Sequence, residues 1–315
     1  MSNVESVLVA GHTGLLGSEV SAVLGAGGFR VHSPSRSTLD FRDFDATYAF
    51  LKTTQPDGII VCAAYVGGIE ANVNSGLRML SENAQIQRSI LESASKLSIG
   101  KLVFVSSAAV YPKSKDFLRE SDAWSAKPAS EHIHYAAAKL SGMAFVDEVR
   151  RQKNLNWINL IPTNIYGLNE RWDINRSHVV ASLIMKIVDA TTSGLSTVEV
   201  WGSGNAQREF LYAADAARAV VECYKNIDDA KFVDYNLTSG VSTSIRDLAT
   251  LIARVSNYQG ALHFDETRLE GPSKRVLDGS RLAEFIDWKP STDIKTGIEA
   301  CLASYKKHVE MGLQA

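Results

Sequence analysis

Tyr135 and Lys139 lie four residues apart and form the pair in this chain best suited to moving a proton. On a helix, residues i and i+4 share a face, so phenol and ammonium point the same way. A free phenol has a pKa of about 10, and bringing it near neutrality takes about 4 kcal/mol. A cation about 4 Å away supplies that much at an effective dielectric of ~20. A phenol so tuned exchanges a proton with a carbonyl oxygen near neutral pH. Upstream, an apolar run ends in Ser106-Ser107-Ala108-Ala109-Val110-Tyr111. A hydroxyl at a strand end, such as Ser107, can hold that same oxygen.

A second constellation is suited to a diphosphate. Gly11-His12-Thr13-Gly14-Leu15-Leu16-Gly17 follows one apolar run and precedes a helical pattern. The first glycine permits a tight turn, and the second lets the backbone approach a pyrophosphate. The third lets helix pack on strand, while the helix N-terminus offers free N–H groups to the anion. Gly11, Thr13, Gly14, Leu15, Leu16 and Gly17 are therefore expected around a dinucleotide; the alternative is a glycine-rich turn without a ligand. The next strand end reads Val31-His32-Ser33-Pro34-Ser35-Arg36, with no carboxylate before Asp40. An acidic residue there would take the ribose 2′-OH of NAD. Arg36 instead suits a 2′-phosphate, since guanidinium pairs bidentately with phosphate, and NADP(H) is the expected cofactor. The alternative is a solvated loop arginine.

Other chemistries find no support. No Gly-x-Ser-x-Gly elbow occurs, and Gly202-Ser203-Gly204 is a turn without the required frame. His132 and His134 lack partners at metal-ligand spacing; they are read as lid residues beside Tyr135, and no metal site is expected. Cys62, Cys223 and Cys301 are odd in number and far apart, which suggests buried thiols in a reducing compartment.

These groups need a scaffold, and the chain alternates to supply one. Apolar β-rich runs at Ser6–Ala10, Phe29–Ser33, Gly58–Cys62, Lys101–Ser106 and Trp157–Pro162 enclose helical patterns at Leu15–Leu24, Asp43–Thr53, Ser81–Lys96 and Ala136–Arg151. Such alternation, with strands apolar on both faces, predicts an α/β fold: a Rossmann-type doubly wound parallel sheet. Beyond Gly167 the pattern loosens. Helices are expected at Val179–Thr191, Ala213–Tyr224, Ile245–Val255 and Thr296–Lys307, with strands at Thr197–Trp201 and Phe232–Leu237. No linker marks a cut. The expected organisation is a dinucleotide-binding domain over residues 1–166 and a smaller α/β substrate lobe over 167–315, with segments near 213–240 returning to the first.

Composition limits the partners. A length of 315 residues suits one large domain or two small ones, at about 100–200 residues each. The net charge of −2 argues against coating nucleic acid or an anionic membrane. The longest nearly apolar run, Gly58 to Ile69, falls short of the about 20 residues that span a bilayer. Met1 to Glu5 carries no basic stretch before an apolar one, so no signal peptide is read and a cytoplasmic location is expected.

Further motifs carry a resemblance. They are Val66-Gly67-Gly68-Ile69-x-Ala71-Asn72, Val110-Tyr111-Pro112-Lys113, Pro162-Thr163-Asn164-Ile165-Tyr166-Gly167, Ser177-His178-Val179, and Trp201-Gly202-Ser203-Gly204 followed by Arg208-Glu209-Phe210. With them the chain resembles, along nearly its whole length, the extended short-chain dehydrogenase/reductases, and within them the GDP-L-fucose synthase group. The resemblance implies that Ser107, Tyr135 and Lys139 are the catalytic trio and His178 an acid/base. It places Ala63, Pro162, Asn164, His178, Tyr135 and Lys139 at the cofactor. Ser107, Asn164, His178, Lys186, Trp201 and Arg208 fall at a GDP-linked 4-keto-6-deoxy sugar, with Arg208 on the diphosphate. It also implies a homodimer through the helices near Ser81–Lys96 and Ala136–Arg151, with Ala136, Ala137, Ala138 and Gly142 allowing close packing.

Two positions depart from that pattern. Thr13 stands where the group usually has an arginine for the 2′-phosphate, leaving Arg36 as the visible determinant. Ala109 stands where the group has a cysteine that acts with the histidine in C3 and C5 epimerisation. Inverting a carbon takes a proton off one face and returns one to the other, and a methyl group cannot titrate. The expected activity is therefore NADPH-dependent reduction of the C4 ketone without full epimerisation. The first alternative is the bifunctional 3,5-epimerase/4-reductase. More distant are an NAD-dependent nucleotide-sugar dehydratase or epimerase on the same fold, and a non-catalytic NADP-binding protein.

Overall fold

The computed structural model describes residues 4–312 except Asn175, Leu269 and Glu270, and leaves the side chains of Ile69 and Glu70 aside. Met1–Asn3, part of the N-terminal stretch read above, lie outside the described residues.

The first half runs β1 (Ser6–Ala10), α1 (Leu15–Ala26), β2 (Arg30–His32), α2 (Phe44–Thr54), β3 (Gly58–Val61), α3 (Ile69–Asn74), α4 (Gly76–Lys96), β4 (Lys101–Val105), β5 (Phe117–Leu118), α5 (Ile133–Lys153), β6 (Asn156–Pro162) and β7 (Asn164–Tyr166). The second runs α6 (Val179–Ser193), β8 (Thr197–Trp201), β9 (Gln207–Tyr212), α7 (Ala213–Lys225), β10 (Asp234–Leu237), β11 (Ser242–Ser244), α8 (Ile245–Val255), β12 (Ala261–Asp265), β13 (Lys274–Leu277), α9 (Ser280–Phe285) and α10 (Ile294–Glu310).

Six strands make one parallel sheet in the order β10-β6-β4-β3-β1-β2. This is the doubly wound Rossmann-type sheet that the alternation predicts. β1 and β3 are buried at every position, so both faces need covering, and alternate side chains enter two cores. Val7 and Val9 join Leu16, Val20 and Val220 on one face, while Leu8 and Ala10 join Ile90, Phe104 and Met143 on the other. β10 returns to this sheet beside β6, in register from Asp234↔Asn159 to Leu237↔Pro162. A third core, with Ile184, Val200, Leu248 and Ile298 among its members, sits under α6, α8 and α10.

A second sheet has the order β11-β9-β13-β5, with β7 on β9; β8 and β12 form a separate pair. β5 and β7 thus leave the first half of the chain to pair with strands of the second, which is how the lobe is anchored.

Several boundaries differ from the sequence reading. β2 stops at His32 rather than Ser33, just before Pro34, which has no N–H to continue a ladder. The helix expected from Ser81 begins at Gly76, after the separate short helix α3. The break falls where Gly76 meets a ring: a Cβ there would lie 2.5 Å from His134 Nδ1.

The small residues of α5 also have a different role. Ala136, Ala138 and Gly142 are buried within the chain, and a Cβ on Gly142 would lie 2.5 Å from Phe104 and 2.6 Å from Gln87. They let α5 sit close on β4 and α4. Of the four, only Ala137 is exposed, and the close packing that Ala136, Ala138 and Gly142 allow is within the chain. Among the described residues, no helix is long and apolar enough to cross a membrane.

Candidate active site

The glycine turn between β1 and α1 is built as its spacing requires. Gly11 has φ +89°, a conformation that side-chain-bearing residues rarely adopt, and a Cβ there would lie 2.6 Å from the Ala63 nitrogen. Gly17 packs its α-carbon against the Gly11 carbonyl, so any side chain would separate helix from turn. Gly14 is the N-cap of α1 in extended conformation, and no side chain caps the helix. The first-turn N–H groups therefore remain available to an anion, with Thr13 and Gly14 exposed beside them. This arrangement fits a dinucleotide diphosphate. Leu16 is a core residue, so any contact it makes with a cofactor comes from its backbone.

At the far edge of the turn, Arg36 is 64% exposed and faces Asp40 at 3.7 Å and Glu82 at 3.8 Å. Arg42 shares both carboxylates. Hydrogen bonds from Arg42 hold the Asp40 carboxyl down at about 2. Arg36 is thus a cation with reachable N–H groups, as a 2′-phosphate site requires.

The trio converges at the carboxyl end of β4. Ser107 follows that strand and accepts from the Ala109 N–H at 3.2 Å, opening the turn Ala108–Val110. Tyr135 and Lys139 lie in the first turns of α5. Burial raises the Tyr135 phenol above its ordinary value, and the Ser107 hydroxyl pulls it the other way. The expected lowering by Lys139 is not present in this arrangement. Lys139 Nζ donates to the Val105 carbonyl at 2.7 Å and stands 5.9 Å from the centre of the Tyr135 ring. Lys139 is itself 2% exposed, and desolvation brings its ammonium down to about 8. Cys62 lies near the same lysine, and burial pushes its thiol up to about 12.

His178 caps α6 and opens onto solvent in the cleft, yet the protein mass around it holds its imidazole below the usual value. Pro162 ends β6 in the core, and β7 follows at once. Asn164 on β7 donates to the Glu209 carbonyl at 2.9 Å, placing it beside Arg208 on β9. Lys186 and Trp201 come together in the lobe, with Nζ 5.2 Å from the ring centre. Trp201 Nε1 donates to Glu199 at 2.9 Å, and Arg268 stands over the ring at 5.2 Å.

Three residues at this site escaped the sequence reading. Arg275 on β13 is 9% exposed and stands in register with Arg208 on β9. Its guanidinium donates to the carbonyls of Ala108 and of Tyr111, the latter at 3.2 Å, spanning the turn that follows Ser107. Burial and the Arg208 charge lower Arg275 to about 10. Glu209 is fully buried; its carboxylate accepts from Thr238, from Gly240 N–H at 3.1 Å and from Leu277 N–H at 2.8 Å, tying β9 to β13. Glu131 lies between Lys113, at 4.0 Å, and His132. Burial and the charges of Arg275, His178 and Arg208 bring His132 down to about 4, with Glu131 opposing them. One signal, visible once β13 is known to be a strand, marks Arg275. It alternates with Leu277 along a short β-run, so both face inward.

Comparison with known proteins agrees with this fold. Residues 7–238 match the NAD dependent epimerase/dehydratase family. The chain is 31% identical over 304 residues to a GDP-L-fucose synthase of Sinorhizobium fredii, covering 96% of each. Among solved structures it is similar to a GDP-6-OMe-4-keto-L-xylo-heptose reductase from C. jejuni, with a TM-score of 0.91, 24% identity and 98% and 99% of the two chains covered. It is also similar to a GDP-mannoheptose C4 reductase from Campylobacter jejuni with NADP bound, with a TM-score of 0.86, 25% identity and 97% and 99% covered. With its glycine turn, parallel sheet and Ser107, Tyr135 and Lys139 gathered at one strand end, the chain belongs to the NAD dependent epimerase/dehydratase family, the extended short-chain dehydrogenase/reductases.

Proposed function

We propose that the chain is an NADPH-dependent C4 ketoreductase of a GDP-linked 4-keto-6-deoxy sugar that does not fully epimerise C3 and C5. The observation that carries this reading is Tyr135 and Lys139 in the first turns of α5, brought to the carboxyl end of β4 with Ser107, and Ala109 in place of a thiol. NADP in a structural neighbour supports the choice of cofactor, as does Arg36 at the end of β2.

When bound, the reduced cofactor supplies a hydride to the sugar C4. The glycine turn and the first N–H groups of α1 hold its diphosphate, Arg36 its 2′-phosphate, and Ala63 lines the turn. Ser107 donates a hydrogen bond to the C4 oxygen and orients it. Tyr135 gives its proton to that oxygen as negative charge develops there; burial keeps the phenol protonated until then. Lys139 remains cationic at neutral pH and eases the departure of that proton through its positive field. His178, whose burial disfavours the charged imidazole, offers ring nitrogens to the sugar hydroxyls. Arg208 takes the GDP diphosphate, and Asn164, Lys186 and Trp201 complete the pocket.

NADPH consumption with a panel of GDP-4-keto sugars tests the reading. Turnover with a 4-keto-6-deoxy hexose or heptose is expected, and none with any member would refute it. The bifunctional reading draws on the curated fucose synthase relative. Ala109→Cys addresses it: restored proton exchange at C3 is expected, and unchanged exchange would count against the thiol argument.

A further inference from the structure

The Val66–Asn72 motif has no part in the chemistry above, yet it meets the segment that delivers His178. The Gly68 N–H donates to the Arg176 carbonyl at 3.1 Å. A Cβ on Gly68 would lie 2.5 Å from the Ser177 carbonyl oxygen. Buried Asn72 fixes the turn from below, donating to the carbonyls of Gly67 at 2.8 Å and Gly68 at 2.9 Å. Tyr65 is held at its backbone by Asn83, which accepts its N–H at 2.8 Å and donates to its carbonyl at 2.9 Å. The Tyr65 ring then receives Arg78 at 4.4 Å and Arg176 at 4.9 Å. On the lobe side, Ser177 Oγ donates to the Arg171 carbonyl at 2.6 Å and accepts from the Asp173 N–H at 3.3 Å. His178 is the next residue and the N-cap of α6.

We propose that Gly68, with the Tyr65–Arg176 stack, is a positioning element that sets where His178 stands against the sugar. The inference rests on the reading of His178 as a group that touches substrate. A methyl on Gly68 has to displace the Ser177 carbonyl, and His178 moves with it. Misplacement by about 1 Å costs roughly 100-fold in rate. Arg176 reinforces the seat from the side-chain direction, through a cation over a ring.

A double-mutant cycle on kcat/KM for GDP-4-keto-6-deoxymannose reduction tests this, with Gly68→Ala and His178→Gln as the two arms. Gly68→Ala is expected to lower kcat/KM by about 100-fold in the parent and to cost almost nothing more once His178→Gln is in place. Arg176→Met is expected to behave alike at about tenfold, and it decides the matter if Gly68→Ala does not fold. Additive losses, with His178→Gln itself damaging, overturn the inference and leave the role of His178 standing. A harmless His178→Gln overturns that role and the inference together.

Discussion

The proposed cofactor side and the proposed sugar side of this site are assembled in different ways. On the cofactor side the central parts come as two short local motifs: Gly11, Gly14 and Gly17 shape one turn, and Tyr135 and Lys139 share one helix. On the sugar side the parts arrive from distant strands. The turn after Ser107 is held by Arg275, 167 residues beyond Ala108. Arg208 keeps its place because Glu209 binds the backbone of Leu277, 68 residues on. Local motifs can preserve a cofactor cradle through large changes elsewhere, whereas a pocket made of long-range contacts changes whenever a strand shifts.

The largest expected effect lies where the two sides meet. Tyr135→Phe is expected to lower kcat by about 10²–10⁴-fold while NADPH affinity, followed by fluorescence, is retained. On the sugar side, Glu209→Ala leaves the Leu277 and Gly240 N–H groups and the Thr238 hydroxyl without their acceptor. A loss of roughly 2–4 kcal/mol is expected in urea unfolding, with GDP affinity falling before NADPH affinity. Equal losses for both ligands would break the division drawn above. On the cofactor side, Arg36→Ala is expected to weaken NADPH by about tenfold and to leave NADH and GDP unchanged in calorimetric titration. The smallest effect is a pH dependence. The Lys139 ammonium titrates at about 8, so its cationic fraction falls as pH rises through that value, and kcat should decline with it. Lys139→Met, already slow, should lose that alkaline limb in a pH–rate profile.

The same division governs what could be read from the chain. β1 is found as expected because a continuous apolar run bounded by a glycine turn has few other interpretations. Tyr135 and Lys139 were legible because helical spacing alone puts them on one face. Arg275 was not. It lies in Ser273-Lys274-Arg275, which resembles a solvated basic run, and its burial depends on β13 pairing with β9 and β5. β5, β7 and β11 are two or three residues long, too short to show a period. The direction in which Lys139 points was not legible for a related reason. Spacing places two side chains on one face, but the Val105 carbonyl decides where the ammonium points.

Reaction in deuterated water tests the central claim most directly. The protein is incubated with NADPH and GDP-4-keto-6-deoxymannose, and the product is read by NMR. Consumption of NADPH with ordinary hydrogen kept at both C3 and C5 is the expected result, since Ala109 supplies no second acid/base. Deuterium at both carbons of a reduced product would contradict it and identify a bifunctional epimerase and reductase.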